Sequence, residues 1–482
     1  MTDGQEIADF AVDFATKQGA KYAEARFVET LAEGYTTRNG VMIGGGKKDF
    51  AGIGIRVLTK EGMGFCSTAK LDKDEIKKAI KIAVKMAKAS RRKEPIKFSE
   101  EKTVQAKWQT PVEEAFEDIA DEDKIQFVQQ IDKTLMEQEF GSALVTRTLI
   151  LDLTRNKKYF TTNEGTKIES EKSLIAFYTF NTAKGVFGTE QRFYGQAGAM
   201  GWEWFKKEKI LDKIIEDNRA LVKTANLAKE ASLGVTDVIV SGEVAGIIAH
   251  ENCGHPSEAD RILGREGAQA GESFYIDLLE KGSLGEIQLG SEVVTIIDDP
   301  TLPGGAGFYE YDDEGVKARP RFLIKNGRLN ELLLNREFAA KFNTQSNAAA
   351  RAIGYNREPI IRMANTYFAP GKFTLEELFE DVKKGLYMKS FTEWNIDDRR
   401  YQSKYVGLEA YIIENGELTE QMVRRPILEL TTKGIFGSVD AVSKETEFPY
   451  GTCGKSDPAQ GAPCWMGGAQ LRLRNIRLGG GK

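Results

Sequence analysis

Residues 238–256 read VIVSGEVAGIIAHENCGHP. Val238, Ile239 and Val240 form the short apolar run of a strand buried on both faces. Val244, Ala245, Ile247 and Ile248 then make the following segment apolar enough to be buried as a helix. That helix delivers His250-Glu251-Asn252-Cys253-Gly254-His255, which holds the only two histidines of the chain, five residues apart. Zinc takes N and S donors in a roughly tetrahedral arrangement, and a catalytic site keeps one position for water. Two neighbouring imidazoles and one further donor meet that need. Glu251, next to the first histidine, can act as general base on the water, and a buried carboxylate there needs a partner in any case.

The spacing requires local irregularity. On a regular α-helix, five residues turn through roughly 140°, so the two imidazoles would diverge. A π-bulge would correct this by adding a residue to one turn. The alternative is that the helix stops first. Gly254 and Pro256 favour the second course, so His250 and Glu251 are expected on the helix and His255 just past its end. The residues leave the third donor open. Cys253 would have to share a narrow arc with both histidines, and Glu258 could offer oxygen. Cys453, in Gly451-Thr452-Cys453-Gly454-Lys455, has small neighbours and a lysine that could favour the thiolate. Cys464, in Ala462-Pro463-Cys464-Trp465, is less suited.

N-terminal to this segment the pattern is mixed. Residues 7, 10, 11, 14 and 15 have helical spacing, closed by Gly19. Tyr22 to Glu29 reads as a strand, Asn39-Gly40 as a hairpin turn, and Ile53, Ile55 and Val57 alternate as a half-buried strand. Asp72 and Glu75 open a helix whose stripe is Ile76, Ala79, Ile80, Ala83, Val84 and Ala87. Residues 95–112 read as a connection. Helices are expected near 121–138 and 208–229, and strands near 143–154 and 173–182. After residue 233 frequent turns separate short alternating strands, and only 374–387 looks clearly helical. The expected organisation is α+β, with a mixed α/β domain over 1–230 (a sub-boundary near 95–112) and a β-rich domain over 231–482 that carries the metal site.

Composition narrows the function. With 482 residues the chain is long enough for two or three domains. A net charge of -5 argues against a nucleic-acid surface, and the basic run 85–93 reads as a solvated helix end. The first residues lack the pattern of a signal peptide, and no run approaches the roughly 18 apolar residues of a membrane helix. A cytoplasmic protein without membrane or nucleic-acid partners is expected. Four cysteines do not make a disulfide framework in so long a chain.

The chain resembles the TldD/PmbA family of metallopeptidases, in its metal-bearing TldD branch. The resemblance rests on HENCGHPSEAD at 250–260, DDPTLPGGAGFYEYDDEG at 298–315, IRMANTYFAPGK at 361–372, EAYIIENGELT at 409–419 and GTCGK at 451–455, followed by a glycine-rich tail. It implies a two-domain α+β protein that hydrolyses unfolded or extended peptides. The zinc ligands it implies are His250, His255 and Cys453, and the catalytic glutamate is Glu251. It also implies a dimer around a cleft, either with itself or with a metal-free paralogue. The chain departs from the family at 391–396, where FTEWNI stands in place of a glycine-rich stretch. A further donor is needed for the charge that develops on the carbonyl oxygen. Arg362 and Tyr367, in a polar segment within the resemblance, are the candidates, although Arg362 could equally hold two strands together. The alternative function is a peptide-binding or assembly protein with a structural zinc, taking extended chains by β-augmentation. A third is a zinc amidase acting on small molecules. Glu251 separates the first alternative from an enzyme, since a structural site needs no unligated carboxylate.

Overall fold

The structure is a computed structural model that describes residues 4–479, except 93, 232 and 269. It is α+β and is built on two large sheets. The first has seven strands: β1 (Tyr22–Arg38), β2 (Val41–Leu58), β3 (Met63–Thr68), β4 (Gln105–Gln109), β5 (Leu144–Thr162), β6 (Lys167–Gly185) and β7 (Gly188–Gly198). Their order is β3-β2-β1-β5-β6-β4, with β7 also on β6. Asn39 and Gly40 take φ of 49° and 78°, the left-handed turn that joins β1 to β2 without splaying them. Helices α1 (Gly4–Lys17) and α2 (Lys73–Ala89) cover one end of the sheet. Asp72 caps α2 by accepting from Glu75 N at 2.9 Å, and the whole expected stripe of α2 is buried. The basic run 85–93 is the last turn of α2 and its exit, and Lys93 lies outside the described residues.

The strands run further than apolar alternation suggests. β1 continues nine residues past Glu29, because its second half is covered by α3 (Asp121–Glu137) and buries an ion pair between Glu33 and Lys124. A pattern search assigns such charges to solvent. The helix expected near 208–229 is found as α4 (Trp204–Lys207) and α5 (Ile210–Leu227), broken at Lys209 with φ 49°.

The second sheet has fourteen strands. These are β8 (Val235–Val240), β9 (Ile296–Asp298), β10 (Arg321–Lys325), β11 (Arg328–Leu329), β14 (Asn365–Phe368), β15 (Lys384–Met388), β16 (Phe391–Ile396), β17 (Gln402–Gly407), β18 (Ala410–Glu414), β19 (Glu417–Met422), β20 (Ile427–Thr431), β21 (Val439–Glu447), β22 (Tyr450–Lys455) and β23 (Gln460–Gly479). A separate two-stranded ladder joins β12 (Ala350–Arg351) to β13 (Ile360–Ile361). The glycines and lysine at 480–482 lie outside the described residues. β23 is the organiser: it pairs with β8, β14, β20, β21 and β22.

One expectation is corrected here. Residues 374–387 are not one helix. Thr374 and Glu377 form a capping box that starts α10 (Leu375–Glu380), and the chain then becomes β15, parallel to β8 from Gly385↔Asp237. Tertiary pairing overrides the local pattern. The second half also holds α6 (Gly242–Ala249), α7 (Ala259–Ile262), α8 (Tyr275–Leu279), α9 (Arg336–Lys341) and α11 (Thr432–Ser438). All but α6 are shorter than the two turns that periodicity needs to show itself. Among the described residues no helix is long and apolar enough to cross a membrane.

Candidate metal centre

β8 leads directly into α6. Ser241 caps the helix, its hydroxyl accepting from Val244 N at 3.2 Å. Gly246 lets α6 lie on the backbone of β23, since a Cβ there would come within 2.3 Å of Gly467 N and Met466 O. The helix ends at Gly254, and His255 stands just past it as the C-cap. Residues His250–Gly254 make a π turn, closed by His255 N donating to His250 O at 3.0 Å. His255 keeps helical angles (φ −62°, ψ −44°) in spite of Pro256. The π turn, the course the sequence did not favour, is thus combined with the expected helix end at Gly254. The glycine also serves a contact: a Cβ on Gly254 would sit 1.9 Å from Met363 Sδ. The added residue in the turn brings positions i and i+5 onto one face. The two imidazole rings lie 4.8 Å apart, centre to centre, at 82°.

Cys453 arrives from β22, its Sγ 3.5 Å from His255 Nε2. Donor atoms of His250, His255 and Cys453 lie within 4.8 Å of one another, and all three residues are buried. Tetrahedral zinc with ligand distances of roughly 2.0–2.3 Å would hold its donors about 3.3–3.8 Å apart, so a small closure accommodates it. His250 Nδ1 is buried with no hydrogen-bond partner among the described residues, as suits a metal donor. Burial holds the His255 imidazole down at about 4, and lowers His250 as well, so both present neutral rings at neutral pH. Burial pushes the Cys453 thiol up, but His255 and Arg362 outweigh it and bring the thiol to about 7. The cation beside it is therefore Arg362. Lys455, expected from sequence to favour the thiolate, is fully buried and donates to both Asp260 oxygens at 2.7 and 2.8 Å.

The other candidate donors are placed elsewhere. Glu258 Oε2 lies 3.0 Å from His255 Nδ1 and receives Arg261 Nε at 2.5 Å. It is thus positioned to fix the imidazole tautomer behind a metal ligand, the usual outer partner of a ligating histidine. Cys253 points to Ser257 Oγ at 4.0 Å, and burial pushes its thiol up to about 12. Burial does the same to Cys464, which touches Met363 O and Arg351.

Glu251 turns into a cleft of about 500 Å³ between the two sheets, lined also by His250, His255 and Cys453. Its Oε2 accepts from Arg400 Nη1, and Arg400 sits at φ 63° on the β16–β17 loop. Sequence reading missed Arg400. The available signal was the need of a buried Glu251 for a cation. Asn252 locks the turn to β17 and α11, donating to Thr432 Oγ1 at 2.8 Å and Ser403 Oγ at 3.1 Å and accepting from Tyr405. Arg362 and Tyr367 are not in the cleft wall. Arg362 clamps the backbone of β22 and β23 through Cys453 O and Gln460 O. Tyr367 stacks edge-on to Phe448, rings 5.4 Å apart.

Comparison with known proteins gives the family and the fold. The model of the PmbA/TldA metallopeptidase C-terminal domain matches residues 233–480, and that of PmbA/TldA metallopeptidase domain 1 matches 23–87. The chain is 34% identical to a metalloprotease of Methanocaldococcus jannaschii over 87% of this chain and 89% of that one. It is 32% identical to a zinc metalloprotease TldD homologue of Saccharolobus solfataricus over 51% and 52%. A solved structure from Thermotoga maritima, described as a modulator of a DNA gyrase, shares the fold with a TM-score of 0.77 at 19% identity, covering 98% and 99%. TldE from Thermococcus kodakarensis does so at 0.72 and 16%, covering 98% and 99%.

Proposed function

The chain belongs to the TldD/PmbA metallopeptidase family, and from that premise we propose that it is a zinc-dependent peptidase acting on unfolded or extended peptides. His250, His255 and Cys453 would hold the metal. The observation that carries the reading is Glu251: a carboxylate outside the three-donor set, in the wall of the same cleft. A structural zinc closes its coordination with four protein ligands and has no use for it.

When bound, zinc would polarise the peptide carbonyl and lower the pKa of a water towards about 7. The protein's own groups do the rest. Glu251 takes the proton of the attacking water and returns it to the leaving amine. Arg400 holds one oxygen of Glu251 and so leaves the other for that work. Glu258 keeps His255 turned with Nε2 towards Cys453. Because Arg400 is the cation that lines the cleft beside Glu251, it replaces Arg362 and Tyr367 as the charged donor within reach of a substrate carbonyl.

The test measures zinc content and hydrolysis, on an unfolded protein and on short peptides, with and without chelator. Cys453→Ala should lose zinc and Cys253→Ser should keep it. Glu251→Ala should keep zinc and lose turnover by about 10² to 10⁴. A Glu251→Ala variant that holds zinc and cuts at the original rate would return the vote to a peptide-binding protein with a structural metal. Cleavage of short amides with no action on unfolded protein would favour a small-molecule amidase.

A further inference from the structure

The segment Phe391-Thr392-Glu393-Trp394-Asn395-Ile396 forms β16, whose one partner among the described residues is β17. The register sets Phe391, Trp394 and Ile396 opposite Gly407, Tyr405 and Ser403. An irregularity between Phe391 and Glu393 keeps Phe391 in phase with the other two. Residues directly opposite on antiparallel strands project to the same face. Tyr405 and Ser403 fix which face this is, because their hydroxyls donate to Asn252 in the 250–254 π turn. Glu393, Asn395 and Lys404 take the other face, where Asn395 Nδ2 donates to Glu393 at 3.0 Å and Lys404 lies 3.7 Å from the same carboxylate. β16 therefore has a polar back and an apolar front. The front is open, with Trp394 46% exposed.

That front lines the cleft that holds Glu251 and the three metal donors. The first sheet contributes Tyr178 and Phe193 to the same cleft, and β22 adds Tyr450, three residues ahead of Cys453. Tyr178 lies 5.7 Å from Phe193 and 5.4 Å from Tyr450, ring to ring. Phe193 is 53% exposed. One exposed aromatic is ordinary on a protein surface, but here two aromatic groups share one slot. At one end β16 is tied to β7: Thr392 Oγ1 donates to Gln191 O at 3.3 Å and Arg192 Nη1 to Phe391 O at 3.2 Å. At the other end, past Ile396, the chain reaches Arg400 and through it Glu251. The charges in this wall are matched to one another. Arg192 meets both oxygens of Glu243 at 2.7 Å, and Arg400 meets Glu251. What the slot offers a substrate side chain is apolar surface.

We propose that this slot is the subsite for a side chain beside the scissile bond, that it selects a large apolar residue such as Phe or Leu, and that Trp394 determines the choice. The inference rests on the peptidase reading above and names its substrate class. Large apolar residues are buried in folded proteins, so a site that demands one beside the cut acts on unfolded chains. Enclosing such a side chain removes apolar surface from water on both partners, which is worth about 10- to 100-fold in binding. Alanine would leave the slot wet. Asp or Lys would give up water and find no free charge in return.

The experiment uses the zinc-loaded protein. Cut sites in an unfolded protein are mapped by mass spectrometry, and quenched peptides with Phe, Leu, Ala, Asp or Lys at each flanking position are then compared by kcat/KM. At one of the two positions Phe and Leu should exceed Ala by about 10- to 100-fold, with Asp and Lys lower still. Trp394→Ala should lower the Phe-to-Ala ratio about tenfold and leave zinc content as it was. Trp394→Glu should raise the Lys peptide relative to the Phe peptide, a gain that general damage to the fold does not produce. A second arm measures the Kd of the same peptides, labelled for anisotropy, on the zinc-loaded Glu251→Ala variant, where the Phe peptide should bind more tightly than the Ala peptide. Absence of cleavage by the wild type would remove the peptidase reading, and this second arm would still decide the subsite. Indifference to both flanking positions in an active enzyme would overturn the proposal. So would a Phe-to-Ala ratio unmoved by Trp394→Ala, including the case in which that variant changes only the oligomeric state in light scattering, which would make the apolar front a subunit contact.

Discussion

Replacing Gly254 by alanine tests whether the π turn is held by packing from outside. The new Cβ would lie 1.9 Å from Met363 Sδ, 3.1 Å from its Cγ and 3.3 Å from its Cε. Relaxed carbon contacts sit at about 3.5–4.0 Å, so one partner must move by more than about 1.5 Å. Met363 is fully buried and cannot swing into solvent. Overpacking of this kind costs about 1–3 kcal/mol. The neighbour of Gly254 is His255, and metal distances tolerate only about 0.2 Å. A shift approaching 1 Å would remove one ligand, so zinc affinity should fall even in molecules that remain folded. The companion variant Met363→Ala opens a cavity at a cost of about 2–5 kcal/mol. In the double variant the added methyl occupies part of that cavity. Denaturant unfolding of the four proteins should therefore give a double variant more stable than the sum of the singles predicts, by about 1–3 kcal/mol. Competition with a zinc chelator should show affinity partly restored in the double variant. Additivity within about 0.5 kcal/mol, or a Gly254→Ala protein with undiminished zinc affinity, would refute the account.

Two further outcomes are expected. Asp217 contributes a pH-dependent term: burial pushes its carboxyl up to about 6, against the pull of Arg192. A raised acid binds its proton more tightly when folded. Its favourable contribution is therefore full below the unfolded value of about 3.9 and is lost as pH rises through about 6, some 3 kcal/mol in all. Asp217→Asn should remove that slope in denaturant titrations across this range, and a wild-type-minus-variant difference that is flat would dispose of it. Second, we propose from the family resemblance that the protein dimerises around its cleft, with itself or with a metal-free paralogue. Light scattering on the purified chain, alone and mixed with such a paralogue, should show a dimer, and a fully active monomer would contradict this.

Legibility in the sequence followed the range of the interactions. The stripe of α2 and the Asn39-Gly40 turn are local, and each could be read from a window of a few residues. The π turn over 250–254 could not. Gly254 and Pro256 carry the ordinary signals of a helix end and the helix does end there, but the contact with Met363 that leaves room only for glycine at 254 comes from more than a hundred residues away. Residues 384–387 likewise read as helix from sequence because the partner strand that makes them β, β8, is distant in the chain. Cys453 could be singled out from its small neighbours and from the resemblance, but the reason given for its thiolate was wrong in one part. Lys455 shares a face of β22 with Cys453, yet its ammonium is taken up by Asp260 and Glu258, and the cation that lowers the Cys453 thiol is Arg362. The need of a buried Glu251 for a cation was legible, but Arg400 could not be named as that cation, because its relation to Glu251 exists only through the β16–β17 loop.

These long-range dependences converge on one strand. β8, which aims α6, pairs with β23 from Leu471↔Val240, while β22, which carries Cys453, pairs with the same strand at Cys453↔Ala462. Gly246 presses α6 itself onto Gly467, between those two registers. The two histidines and the cysteine are some 200 residues apart in the chain, yet each is referenced to a ladder of hydrogen bonds along β23. A shift of that strand by one residue would reverse the faces of every side chain on it, and would carry Cys453 away from the histidines. The precision of the candidate centre is therefore set less by the HENCGH segment than by the strand beneath it. Metal binding, in turn, should stabilise the docking of β22 and β23 on α6, because the assembled site exists only when all three are in register.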